Sequence, residues 1–131
     1  MLARAMKTIA GVSEEHSPAL LARFPELARI RLRRGGLLPR LGGWCLGQAS
    51  VAGITVGRTV WLGIRTTPSA ELLLHELRHV HQFATVRAFP LRYLWESLRR
   101  GYHRNRFEVD ARRFAADRVQ LQTEVSFQED A

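Results

Sequence analysis

The sequence predicts an α+β fold: a short antiparallel or mixed sheet of about three strands packed against a central helix, with a further C-terminal helix. Three observations carry this expectation. Short segments at 28–34, 51–56 and 59–64 show the two-residue apolar period or the β-branched enrichment of strands. Residues 67–84 repeat apolar side chains at helical steps. The length of 131 residues fits one hydrophobic core, so 1–131 is expected to form a single domain.

Ser17 followed by Pro18 reads as an N-cap and first helical position, and Leu20, Leu21, Phe24 and Leu27 continue with near-helical spacing. Pro25 disfavours helical backbone at Phe24, which predicts a break there. From Ala28, Arg29, Arg31 and Arg33 alternate with Ile30 and Leu32, giving a strand with one buried face. Gly35, Gly36, Pro39, Gly42 and Gly43 then punctuate a loop. Gly57-Arg58 between the next two strands suits a hairpin turn. If the strand at 59–64 is a sheet edge, it is expected to accept an extended peptide by strand addition.

Thr67-Pro68 reads as the start of the central helix, with Glu71 near its positive dipole end and a stripe of Leu73, Leu77, Val80 and Ala84. Pro90 opens another amphipathic segment in which Leu91, Leu94, Trp95 and Leu98 share a face, closed by Gly101. The last helix is expected from Asn105 to about Gln122, with residues 126–131 frayed.

Composition narrows the class of protein. No apolar run is long enough for a membrane span, and residues 1–12 lack the core of a secretory signal. Cys45 is the sole cysteine, so no intrachain disulfide can form, which fits a cytoplasmic location; a small buried apolar residue is its ordinary role. The formal charge of +8 could attract nucleic acid, an anionic membrane or an acidic partner. No nucleic-acid-binding motif accompanies it, and Lys7 is the only lysine beside many arginines, a bias that base composition alone can produce.

The chemistry concentrates in Leu72-Leu73-Leu74-His75-Glu76-Leu77-Arg78-His79. Two histidines four apart on a helix lie about 40° apart on one face, so both imidazoles reach one ion at about 2.0–2.1 Å. Glu76, beside His75 on the wheel, is suited to take a proton from a metal-bound water. This is the HExxH arrangement. His81 points about 160° away from His79 and is not read as a ligand. The bland alternative is a solvated polar face beside the leucine stripe.

A catalytic zinc needs a third protein ligand and an open position for water. Phe83 and Thr85 stand where longer histidine signatures would place that ligand. Glu108 on the C-terminal helix is the leading candidate, with small Ala111 and Ala115 on its face to let the helices approach. Its other reading is the N3 member of a capping box with Asn105. Asp110 and Cys45 are the fallback ligands.

These residues resemble the gluzincin metallopeptidases, in particular small single-domain proteins whose active-site helix reads like HELxHVxQ; here it is His75-Glu76-Leu77-Arg78-His79-Val80-His81-Gln82. The likeness extends to the strand pair Ile54 to Leu62 and to Phe107-Glu108-Val109-Asp110-Ala111. It implies Zn2+ held by His75, His79 and Glu108, Glu76 as general base, and a peptide or protein substrate. Many gluzincins carry an aspartate four residues after the ligand glutamate, where it can hold a ligand histidine; Arg112 stands there in this chain.

The expected reaction is peptide-bond hydrolysis, with zinc lowering the pKa of water from about 15.7 towards about 7 and Glu76 accepting its proton. Tyr102 or His103 is the candidate donor to the oxyanion. The alternatives are a non-catalytic zinc-binding or interaction module of the same fold, and a basic nucleic-acid-associated protein.

Overall fold

A computed structural model describes residues 1–39 and 52–131. Cys45 and the expected loop and strand residues between 40 and 51 lie outside the described residues. The fold is mixed α+β, with a sheet of four strands rather than about three. Two compact units, Met1–Pro68 and Ser69–Ala131, are described in turn.

The first unit opens with helix α1 (Leu2–Ala10), strand β1 (Val12–Glu14) and helix α2 (Pro18–Arg23). Ser17 caps α2, its hydroxyl accepting from the Leu20 amide at 3.5 Å. The expected break at Pro25 is a 3-10 turn, Pro25–Arg29, closed by Ile30 N–H bonding the Leu27 carbonyl. That turn takes the first residues of the strand expected from Ala28, so β2 spans only Arg31–Arg34. The alternation survives: Ile30 and Leu32 are buried while Arg31 is exposed.

Strands β3 (Gly53–Val56) and β4 (Thr59–Leu62) form the expected hairpin, with Gly57 supplying the positive φ of 63° that a two-residue turn needs. The sheet order is β1-β2-β4-β3, antiparallel except between β2 and β4. β4 is therefore an interior strand, hydrogen-bonded on both sides, and is not the edge expected to accept a peptide.

β1 is too short at three residues to show a strand period, and side chains reinforce its ladder with β2. Arg34 grips Glu14 through two bonds of 2.7 and 2.9 Å and also donates to the carbonyls of Gly63 and Thr66. Gly11 makes the approach feasible, since a Cβ there would lie 2.5 Å from the Arg34 carbonyl oxygen.

The second unit is three helices: α3 (Ala70–Thr85), α4 (Phe89–Arg100) and α5 (Arg106–Glu129). α3 begins two residues later than expected, because the Ser69 hydroxyl accepts from the Leu72 amide and takes the capping role assigned to Thr67. α5 continues through the stretch expected to fray. No glycine or proline interrupts residues 118–129, and Gln120–Glu124 and Arg118–Gln122 pairs run along it.

α3 and α5 make the most extensive helix contact of the unit. Ala111 and Ala115 on α5 are fully buried, as are Leu73 and Leu74 on α3. Asn105, also fully buried, caps α5 by accepting from the Phe107 amide, while its own amide donates to the Tyr93 carbonyl and Ser97 hydroxyl of α4. One side chain thus fixes both the start of α5 and the place of α4.

Overpacking at an alanine of this kind costs about 1–3 kcal/mol, so Ala115→Leu should lower the urea-unfolding free energy by that amount. A change within about 0.5 kcal/mol, the range of ordinary surface substitutions, would show that Ala115 does not set the helix approach.

Candidate metal centre

His75 and His79 stand one turn apart on the buried side of α3, and Glu108 comes from the first turn of α5. His75 Nε2 lies 2.9 Å from Glu108 Oε2, His79 Nε2 lies 3.1 Å from Glu108 Oε1, and the two Nε2 atoms are 3.2 Å apart. Among the described residues these three form the group whose ligand atoms converge closely enough to hold a metal ion. Ligands at about 2.0–2.1 Å from a tetrahedral zinc are about 3.3 Å from one another, and the separations of 2.9–3.2 Å among the two imidazole nitrogens and the two carboxylate oxygens are of that order.

The capping-box reading of Glu108 does not describe this carboxylate. Asn105 is the N-cap, but its N–H bonds the carbonyls of Gly101 and Tyr102, while the Glu108 carboxylate turns to the histidines and to Tyr93. The Tyr93 hydroxyl donates to Glu108 Oε1 at 2.6 Å. Tyr93 lies on α4, and no spacing in the sequence connects it to the motif.

Gln82, the last residue of the His75–Gln82 stretch, has a role that the sequence analysis did not assign. Its amide nitrogen donates to the Phe107 carbonyl at 3.0 Å and to Asp110 Oδ2 at 2.9 Å, which uses both hydrogens. Its oxygen must therefore face His79 Nδ1, 2.8 Å away, and His79 donates Nδ1–H to it. This bond fixes the ring and leaves Nε2 as the atom offered to a metal. The sequence held the signal, since Gln82 is three residues after His79 and so on the same side of the helix.

Asp110, a fallback ligand, instead pairs with Arg78 through bonds of 2.7 and 3.3 Å and accepts from Gln82. The hydrogen bond from Arg78 holds it below the usual carboxylate range, with Gln82 adding to the effect. Arg78, Asp110 and Gln82 thus form a chain of charge and hydrogen bonds ending on His79. Arg112, where an aspartate is usual in the resembling family, donates to the His103 carbonyl and holds the turn before α5.

Glu76 is buried on α3, and its negative charge acts on His79, Tyr93 and Tyr102. Burial and the charge of Glu108 push the Tyr102 phenol up to about 12, so it stays protonated and able to donate. His103 is exposed, its ring set edge-on against Tyr102 at 5.8 Å. Of the two candidate oxyanion donors, Tyr102 is the one in the field of the site. Burial, with the Glu108 charge and hydrogen bond, also drives Tyr93 far above the ordinary phenol range.

Without a metal the site balances its own charge. Burial disfavours the His79 imidazolium, but the hydrogen bond and charge of Glu108, the charge of Glu76 and the bond to Gln82 outweigh it and push the ring up to about 9. Burial likewise works to raise Glu108, yet the bonds from His75, His79 and Tyr93 and the His79 charge hold it below the usual carboxylate range.

A group whose pKa is raised on folding stabilises the fold fully below its unfolded value and loses that contribution as pH rises through the folded one. For His79 the window runs from 6.5 to about 9. The metal-free protein should therefore lose stability across that range in denaturant titrations, and His79→Gln should flatten the profile there. An equally steep loss in His79→Gln would assign it to another group. No family model, no curated protein and no solved structure matches this chain.

Proposed function

We propose that this chain is a zinc-dependent peptide hydrolase of the gluzincin kind, with His75, His79 and Glu108 as ligands and Glu76 as general base. The observation that carries the reading is the convergence of two imidazole nitrogens and a carboxylate at 2.9–3.2 Å, with a buried glutamate on the same helix beside them. Two nitrogens and one carboxylate oxygen form the donor set of hydrolytic zinc, and they leave a fourth position for water.

Zinc in such a site supplies a water acidified to a pKa of about 7 and polarisation of the substrate carbonyl. The chain's own residues supply the rest. Glu76 accepts the proton of the attacking water and returns it to the leaving amine nitrogen. Gln82 keeps Nδ1 of His79 protonated so that Nε2 is the donor atom, and Asp110, fixed by Arg78, keeps Gln82 in that orientation. Tyr93 holds Glu108 by one oxygen. Tyr102, protonated at neutral pH, is the donor suited to a developing oxyanion. The substrate is a peptide or protein, and the lone Cys45 fits a reducing compartment such as the cytoplasm.

The test separates metal binding from turnover. The wild type should bind one zinc per chain. Glu108→Ala should weaken zinc more than Gln82→Ala does, the latter losing about 10- to 100-fold as second-sphere partners do. Asp110→Ala should act only as weakly as Gln82→Ala or less. Glu76→Gln should keep zinc and lose about 10²- to 10⁴-fold in hydrolysis. A reconstituted protein without stoichiometric zinc, or unchanged affinity in Glu108→Ala, would refute the site. Zinc bound with no cleavage across a broad peptide library would favour the non-catalytic module.

A further inference from the structure

Helix α4 wears its apolar residues on the outside. Its inner face carries Phe89, packed on Phe83 and Phe107 at ring distances of 4.7 and 5.0 Å, then Tyr93 and the buried Glu96. The opposite face carries Leu91, Leu94, Trp95 and Leu98, which are 71%, 55%, 64% and 75% exposed. At about 100° per residue these four fall within an arc of about 100°, a continuous strip about two turns long. A strip of leucines and one tryptophan in water is unfavourable and marks a contact surface.

Charge says what kind of contact. Arg92 and Arg99 lie along one border of the strip, and among the described residues neither makes an ion pair. An open basin of about 540 Å³ at the C-terminal end of α4 is lined by Arg99, Arg100, His103, Arg104 and Val109, none of them a residue of the strip. Arg100 is paired with Glu96, whereas among the described residues Arg99 and Arg104 make no ion pair. An apolar ridge bordered by arginines, with further arginines at the C-terminal end of its helix, is complementary to a surface with acyl chains below and phosphates above. Leucine and tryptophan on one face with arginine beside them is the composition of helices that lie in a bilayer interface.

We infer that α4 docks this protein on the surface of an anionic phospholipid bilayer, with Leu91, Leu94, Trp95 and Leu98 in the headgroup–acyl boundary and Arg92, Arg99 and Arg104 on lipid phosphates. The helix lies on the membrane and does not cross it, and among the described residues no helix is long and apolar enough to do so. A second copy of the chain is a poorer occupant, because a two-fold contact through this strip would set its bordering arginines against their own copies. Nucleic acid would use the arginines and leave four large apolar side chains without a partner. The inference does not depend on zinc, since the strip is on the face of α4 away from Tyr93.

The full-length protein should co-sediment at low salt with vesicles of equal parts phosphatidylcholine and phosphatidylglycerol, and not with phosphatidylcholine alone. Leu94→Gln/Leu98→Gln should weaken that binding at least about tenfold, since each buried methylene contributes strongly to interfacial affinity. Arg99→Gln/Arg104→Gln should weaken it about fivefold per charge removed, and added salt should weaken the wild type in the same way. All four positions are exposed, so circular dichroism should show unchanged helix content in both variants. Equal binding to both kinds of vesicle, binding to neither, or wild-type binding by the leucine variant would overturn the inference. So would a dimer in sedimentation velocity that Leu94→Gln/Leu98→Gln converts to monomer, because the strip would then be a contact between copies.

Discussion

A carboxylate removed from water is stable only if other groups replace its hydration, and the second unit of this protein is arranged around one such group. Glu108 is 3% exposed and accepts from His75, His79 and Tyr93, so residues of two other helices converge on one residue of the third. Truncating one partner of a buried charged cluster leaves the others uncompensated, which makes these contacts mutually dependent. The same two imidazoles and carboxylate could hold a metal ion, whose charge would replace the proton that His79 otherwise carries.

Around that core the supporting groups are spent on orientation. Gln82 uses every polar hydrogen it has, two on the Phe107 carbonyl and Asp110, and its oxygen receives the proton of His79 Nδ1. Asp110 is tied to Arg78, the variable position within the HExxH motif. Arg112, four residues after Glu108, donates to the His103 carbonyl, and the ring of His79 is fixed by Gln82 from within α3 itself. Helix α4 serves two sides at once: Tyr93 reaches the carboxylate from its inner face, while its outer face carries the leucines and Trp95.

Much of this was legible in the sequence, for identifiable reasons. His75, Glu76 and His79 share a helix, where spacing fixes geometry, and their grouping follows from the turn of the helix alone. Glu108 was legible as a candidate because Ala111 and Ala115 announce a close helix approach on the same face. Tyr93 was not legible, because its contact depends on how Asn105 draws α4 and α5 together. The hairpin around Gly57 was plain from its turn residues and β-branched flanks. β1 was hidden, since a three-residue strand has no period to read and is secured by Arg34 and Gly11 from elsewhere in the chain. The ends of α3 and α5 moved for local reasons: Ser69 competes with Thr67 as a cap, and nothing after Gln122 breaks the helix.

The central claim is a zinc site built from two imidazoles and one carboxylate, and X-ray absorption at the zinc edge of the reconstituted protein tests it most directly. The account predicts a first shell of nitrogen and oxygen only, at about 2.0–2.1 Å, four-coordinate and with the outer-shell scattering of two histidine rings. A sulfur scatterer at about 2.3 Å would bring Cys45 into the site and contradict the assignment of Glu108.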